Sequence, residues 1–187
     1  MENILFRYVG NKLDTFESGP KQSSPDFFNR DKTYEWELKG FKDKPGFDVS
    51  NFTSYINQLN EINGVKRKLY QTKYIIMNYS LIGGIAKIKD YKICNVWDIV
   101  SYKGIYPISL QNKKGMWYNI RPCSFKEMDD SEKTPEKFID QICKAIKKCP
   151  NKIENKDTII KNIKKQFEKL RFDNVMDEMQ NLLISDN

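Results

Sequence analysis

Apolar residues change their period several times along the chain, and each change predicts an element. Leu5, Val9, Leu13 and Phe16 fall at approximate helical spacing and stop at Ser18-Gly19-Pro20, which predicts a helix over 2–18. Residues 25–29 and 33–41 read as two strands of a hairpin, joined by the polar turn Asn29-Arg30-Asp31-Lys32. Pro45-Gly46 breaks the chain, and Asp48 stands as the N-cap of a helix with Phe52, Tyr55, Ile56, Leu59 and Ile62 on one face. KYIIMNYSLI, residues 73–82, is a strand-type apolar run ended by Gly83-Gly84, and 85–93 alternates as a further strand. NVWDIV reads as a short helical turn, and PISL and MWYNI flank Gln111-Asn112-Lys113-Lys114-Gly115 as a second hairpin. From Thr134 the pattern is helical: Thr134-Pro135-Glu136 is a cap followed by proline at the first helical position, opening a helix over 135–148 that Cys149-Pro150 ends. A long amphipathic segment from about 156 to 184 carries Ile159, Ile160, Ile163, Phe167, Leu170, Val175, Met179 and Leu182. The order helix, hairpin, helix, strands, helices predicts a mixed α/β (α+β) fold with helices packed on one central sheet. With no internal repeat and no low-complexity linker, residues 1–187 read as a single domain, with a core over about 2–126 and a helical part over about 134–185.

Composition narrows the class. Hydrophobic residues are 39% and charged residues 30%, enough apolar surface for a globular core. No apolar run approaches the roughly 18–20 residues that span a bilayer, and MENILFRYVGNKLD is acidic and polar too early for a signal peptide, so a cytoplasmic protein is expected. The cysteines at 94, 123, 143 and 149 form no C-x-x-C pair and read as reduced, partly buried thiols. There is no histidine at all, which excludes Ser-His-Asp and Cys-His catalysis and the H-E-x-x-H zinc site. Any base or metal ligand must come from carboxylates, lysine, tyrosine or backbone.

Charge adds a direction. The net charge is +7, and residues 49–126 hold 12 bases against 3 acids (Glu61, Asp90, Asp98), whereas 1–48 hold 8 and 9, and 127–187 hold 12 and 13. A basic field confined to one segment is the footprint expected for a polyanion partner such as nucleic acid.

The chemistry concentrates in residues 25–39. As a strand, Tyr34-Glu35-Trp36-Glu37-Leu38-Lys39 sends Tyr34, Trp36 and Leu38 to one side, suited to a core, and Glu35, Glu37 and Lys39 to the other, neighbours roughly 7 Å apart. Asp26, whose backbone Pro25 restrains, enters from the preceding strand, where a tight hairpin would bring it beside Glu37. Two carboxylates on one point repel unless a cation sits between them, and hard oxygen donors suit Mg²⁺ or Mn²⁺. Such an ion serves phosphodiester cleavage, and a neighbouring lysine can orient the attacking water. The alternative for these residues is a solvated strand face whose Glu and Lys pair across strands.

Pro25-Asp26 followed after ten residues by Glu37-x-Lys39 resembles the signature of the PD-(D/E)XK nuclease superfamily. The element order around it resembles that family's core, and GFDVSNFTSYINQL resembles the helix after the motif in many type II restriction endonucleases, so the likeness covers about residues 13–80. It implies a restriction endonuclease-like central mixed sheet flanked by helices, with Asp26, Glu37 and Lys39 catalytic. It also implies Asp26, Glu37 and the backbone carbonyl of Leu38 as metal ligands, Lys39 as the water-positioning group, and Glu17 on the preceding helix as an assisting acid. Glu35 reads as a second-site ligand or as merely exposed.

Downstream, residues 99–126 carry five bases and no acid. A hairpin bearing Lys113, Lys114, Trp117, Asn119 and Arg121 has the side chains to enter a groove, with Arg and Asn suited to base edges and turn lysines to phosphates. The alternative puts Trp117 and Ile120 in the core and the lysines in solvent. Lys66-Arg67-Lys68 reads as a solvated helix end, and Lys73 as a phosphate contact. The C-terminal segment reads as scaffold or as a homodimer surface, which cutting both strands of a palindrome would use. The function expected is Mg²⁺-dependent, site-specific cleavage of double-stranded DNA. The rivals are a structure-specific repair or recombination nuclease and a non-catalytic DNA-binding protein.

Overall fold

The computed structural model describes residues 16–19 and 25–185, with side chains placed for 17–19 and 25–174. A five-stranded mixed sheet runs in the order β1 (Phe16–Ser18), β2 (Phe27–Asn29), β3 (Glu35–Phe41), β5 (Thr72–Ile82), β6 (Ile85–Cys94). Only the β3–β5 pair is parallel, because the chain between them crosses over through helices; the other neighbours are antiparallel. A second sheet of three strands has the order β4 (Ser50–Asn51), β8 (Met116–Ile120), β7 (Leu110–Lys113). The helices are α1 (Phe52–Asn60), α2 (Gly64–Lys66), α3 (Val96–Ile99), α4 (Pro135–Lys148) and α5 (Lys156–Ser185). A π turn, Arg67–Gln71, joins α2 to β5.

Most elements lie where the pattern puts them, and α4 begins as its signals require, with the Thr134 hydroxyl accepting from the Lys137 N–H at 3.2 Å. Three expectations are corrected. Phe16–Ser18 is a strand paired to β2 rather than the end of a helix, and the rest of the segment expected to be helical up to residue 15 lies outside the described residues. The cap of α1 is Asn51, whose side chain accepts from Ser54 N at 3.0 Å, because β4 pairing extends the chain to that point; Asp48 instead meets Arg121. Ile62 lies beyond the helix and is 94% exposed. There Asn63 (φ 60°) and Gly64 turn the chain back so closely that a Cβ at Gly64 would sit 2.0 Å from the Gln58 carbonyl oxygen.

One buried cluster runs from Phe41 through α1, β5, α3 and β8 to Ile142 and Ile146 of α4 and Ile159, Ile163 and Phe167 of α5, so the start of α5 is scaffold. Trp117 and Ile120 of β8 belong to it, Trp117 packing edge-on against Phe52 with ring centroids 5.7 Å apart. A small second cluster, Leu38 and Met77 with Phe27 and Ile75, sits on the other side of the large sheet. The register shows which side is which: Glu37 and Lys39 pair with Tyr74 and Ile76 of the main core, and Leu38 pairs with Ile75. The acid-bearing face of β3 is therefore the helix-covered one, and Tyr34, expected inside, is exposed.

β4 is two residues long, yet the side of β8 that it leaves uncovered is not bare. Asn51 Nδ2 donates to the Tyr118 carbonyl at 3.2 Å. The buried Asn151 amide accepts from Trp117 N at 2.8 Å and donates to Trp117 O at 2.6 Å, imitating the next peptide of a strand. At the far edge, β5 and β6 run past Phe41↔Asn78, the last β3–β5 pair, as a two-stranded ribbon. Its turn is Gly83-Gly84 (φ 57° and 78°), and Leu81, Ile82, Ile85 and Ile88 are more than half exposed. No described helix is long and apolar enough to cross a membrane.

Candidate active site

The β2–β3 hairpin assembles the site. Its turn is held by Asn29 and Asp31, whose side chains bind Tyr34 N (2.7 Å) and Thr33 N (3.0 Å), and this fixes Phe27↔Trp36 and Phe28↔Glu35. Asp26 stands just before β2, one position past the Phe27↔Trp36 pair and so at the level of Glu37. The Asp26 carboxylate accepts the Leu38 N–H at 2.6 Å, which aims it along β3. Glu37 is buried beside it, and Lys39 Nζ donates to Glu37 Oε2 at 3.2 Å while its own side chain stays partly open. Asp26, Glu37, Leu38 and Lys39 are thus brought together at the rim of the main core face, where side chains meet both packing and solvent.

Tyr74, the register partner of Glu37, is a neighbour that the sequence reading missed. Burial, reinforced by Tyr55 and by the Glu37 and Glu35 carboxylates, pushes its phenol well above the ordinary value, so it stays protonated beside them. No signal within β5 marks it; only the parallel register does.

Glu35 is neither exposed nor turned toward Asp26. Its Oε2 accepts from Lys68 Nζ at 3.2 Å and from the Thr72 hydroxyl at 3.0 Å. Lys68, expected on a solvated helix end, is a buried residue of the π turn, whereas its neighbour Arg67 pairs with Glu61 at the surface. Glu17 is not on a helix: it lies on β1 opposite Phe28, with β2 between it and β3, and pairs with Lys32 at 3.4 Å. The structure separates it from Glu37.

The donor set fits a hard divalent cation: two adjacent carboxylates, with the Leu38 carbonyl on the same strand. No three acidic, histidine or cysteine side chains converge as a ligand group among the described residues. Two carboxylates completed by water and phosphate oxygens are the usual protein share of a Mg²⁺ site.

The residues expected to contact DNA divide. Lys113 and Lys114 are exposed at the β7–β8 turn, Lys113 lying 5.5 Å over the Tyr118 ring. Trp117 is 5% exposed and belongs to the core, so it has no face for a base. Arg121 is committed to Asp48 and to the Gly46 carbonyl (2.5 Å), tying the second sheet to the loop that follows β3. Asn119 is half-buried and donates to Gln111 at 3.2 Å. Lys73 pairs with Trp36 in the register, on the side away from the acids, and donates to Asn95 at 2.5 Å; burial lowers its ammonium pKa, against the pull of Asp98. Lys42 and Lys44, not singled out from the sequence, line an open hollow of about 550 Å³ with Phe41 and Phe47 just beyond β3.

A family model described as the NgoBV restriction endonuclease matches residues 1–182. The type II restriction enzyme NlaIV of Neisseria lactamica is 32% identical over 131 residues, covering 64% of this chain and 52% of that protein, so the chain spans about half the length of this curated relative. The solved structure of the NlaIV restriction endonuclease superposes with a TM-score of 0.74 at 24% identity, over 90% of this chain and 73% of that one, a likeness of fold. With a family model matched over nearly its whole length, the chain belongs to the NgoBV restriction endonuclease family.

Proposed function

We propose that this chain is the nuclease unit of a type II restriction endonuclease, hydrolysing phosphodiester bonds at a defined site in double-stranded DNA. Enzymes of this class generally work on DNA with divalent metal ions, and Mg²⁺ is the ion we assign, with Mn²⁺ as a substitute. The observation that carries the reading is the Asp26 carboxylate held at the Leu38 N–H, 2.6 Å away and next in the chain to Glu37, with Lys39 Nζ 3.2 Å from Glu37. Asp26, Glu37 and the Leu38 carbonyl would hold the ion, which when bound polarises the phosphoryl oxygen and eases deprotonation of water. Asp26 is oriented for this by the Leu38 N–H, and Lys39 is near enough to Glu37 to hold a water and to offset negative charge gathering on the phosphorus oxygens. Lys113 and Lys114, with Lys42 and Lys44 of the loop beyond β3, would meet phosphates and leave base reading to other groups. Cutting both strands calls for two such centres, so a homodimer is part of the proposal. The single-domain organisation over 1–187 and a cytoplasmic setting belong to it as well.

The test incubates the protein with long duplex DNA, with Mg²⁺ or EDTA, beside Glu37→Gln. Discrete metal-dependent bands that vanish in the variant are expected. A metal-dependent smear would replace site-specific by structure-specific or general nuclease action, and cleavage unaffected by Glu37→Gln would move the centre elsewhere.

A further inference from the structure

Asp26, Glu35 and Glu37 lie on or beside β3, yet Glu35 is held apart from the other two. Glu35 and Glu37 are two apart on β3 and share one face, with side-chain origins about 7 Å apart. That spacing would ordinarily let Glu35 lean toward Glu37 and Asp26 and draw in a second divalent ion. It leans the other way. Lys68 reaches Glu35 from the π turn at 3.2 Å, with its side chain only 6% exposed, and the Thr72 hydroxyl lies 3.0 Å from the same carboxylate oxygen and 3.0 Å from the Arg67 carbonyl, its one proton shared between them. The π turn makes this reach available, since an extra residue in one helical turn re-aims the side chains that follow.

Resting on the function proposed above, we propose that Lys68 is a positioning residue that keeps Glu35 out of the divalent-ion site and so limits that site to one ion. The ammonium does for Glu35 what a second ion would do: it neutralises the carboxylate from a fixed, water-poor position. Among the described residues, Lys68 pairs with Glu35 and Lys39 with Glu37, each at 3.2 Å, so the two β3 carboxylates answer to different ammonium groups.

The experiment counts ions directly. Bound Mn²⁺ is measured from the loss of the free-ion electron paramagnetic resonance signal, without DNA, for the parent chain, Lys68→Met, Lys68→Arg, Glu35→Gln, the Lys68→Met/Glu35→Gln pair and Asp26→Asn. One ion per chain is expected for the parent, Lys68→Arg, Glu35→Gln and the double variant, and two for Lys68→Met. Asp26→Asn should lose the ion by tenfold or more in affinity. The double variant leaves neither charge alone and shows whether a second ion in Lys68→Met needs Glu35; if Lys68→Met does not fold, the parent ion count and the affinity of Glu35→Gln still decide. Two ions in the parent, one in a folded Lys68→Met, or weakened binding in Glu35→Gln would each overturn the inference. No ion in the parent, or undiminished binding in Asp26→Asn, would overturn the ion site itself and this inference with it.

Discussion

Replacing Asn151 by alanine tests whether a side chain can stand in for a strand. The substitution removes two hydrogen bonds to the Trp117 peptide, at 2.8 and 2.6 Å, and a longer one to the Thr53 hydroxyl at 3.3 Å. Trp117 lies in the core, so its N–H and C=O would be left without water or protein partners. Each stranded backbone group costs about 1–3 kcal/mol, while the Thr53 bond lies closer to the surface and adds little, which gives a total of about 3–5 kcal/mol. For a chain of this size that is a fall in Tm of about 10 °C. Urea unfolding followed by tryptophan fluorescence should show the midpoint falling with the slope unchanged. Hydrogen exchange should locate the loss, with the Trp117 amide losing protection ahead of Ile142 and Ile146 in α4. A destabilisation below about 1 kcal/mol, or a Trp117 amide as protected as before, would refute the reasoning.

Two further outcomes follow from the same geometry. Arg121→Ala and Asp48→Ala should each cost about 1 kcal/mol, since the pair is partly exposed, and the double variant should cost little more than either alone. Loss of sequence-specific DNA retention in Arg121→Ala but not in Asp48→Ala would instead make Arg121 a base reader. All four cysteines are free and buried, and burial pushes Cys94 up to about 12 and Cys143 up to about 11. At pH 8 the folded chain should therefore react negligibly with Ellman's reagent and release all four thiols in denaturant, whereas a fast-reacting native thiol would contradict that burial.

Local chemistry makes α4 legible in the sequence, because Thr134, Pro135 and Pro150 are capping and breaking signals that act within a few residues. The hairpin carrying Asp26, Glu37 and Lys39 was equally readable, since alternation and turn composition are short-range. What failed depends on distant chain. Asp48 and Asn51 are both good caps, and pairing of Ser50 and Asn51 with Ile120 and Asn119 decides between them. Alternation in β3 separates two faces but does not say which one helices cover; Tyr74 and Ile76 of β5 decide that. Lys68 sits in a basic run that looks solvated, and only the π turn carries it inward. Trp117 and Arg121 have the side chains of a DNA reader but were claimed by Phe52 and by Asp48.

The β5–β6 ribbon has a consequence for the protein as a colloid. An exposed apolar ribbon on an edge strand is a template for self-association. What keeps such edges apart is long-range repulsion between molecules of net charge +7, with Lys87 and Lys89 exposed on the ribbon itself. That repulsion reaches about 8 Å at physiological ionic strength and about 3 Å in molar salt. Salt strong enough to strip nucleic acid from a basic surface therefore also removes the barrier between ribbons. Under the proposed function, release of DNA from Lys42, Lys44, Lys113 and Lys114 and clumping through the ribbons would move together along the ionic-strength axis.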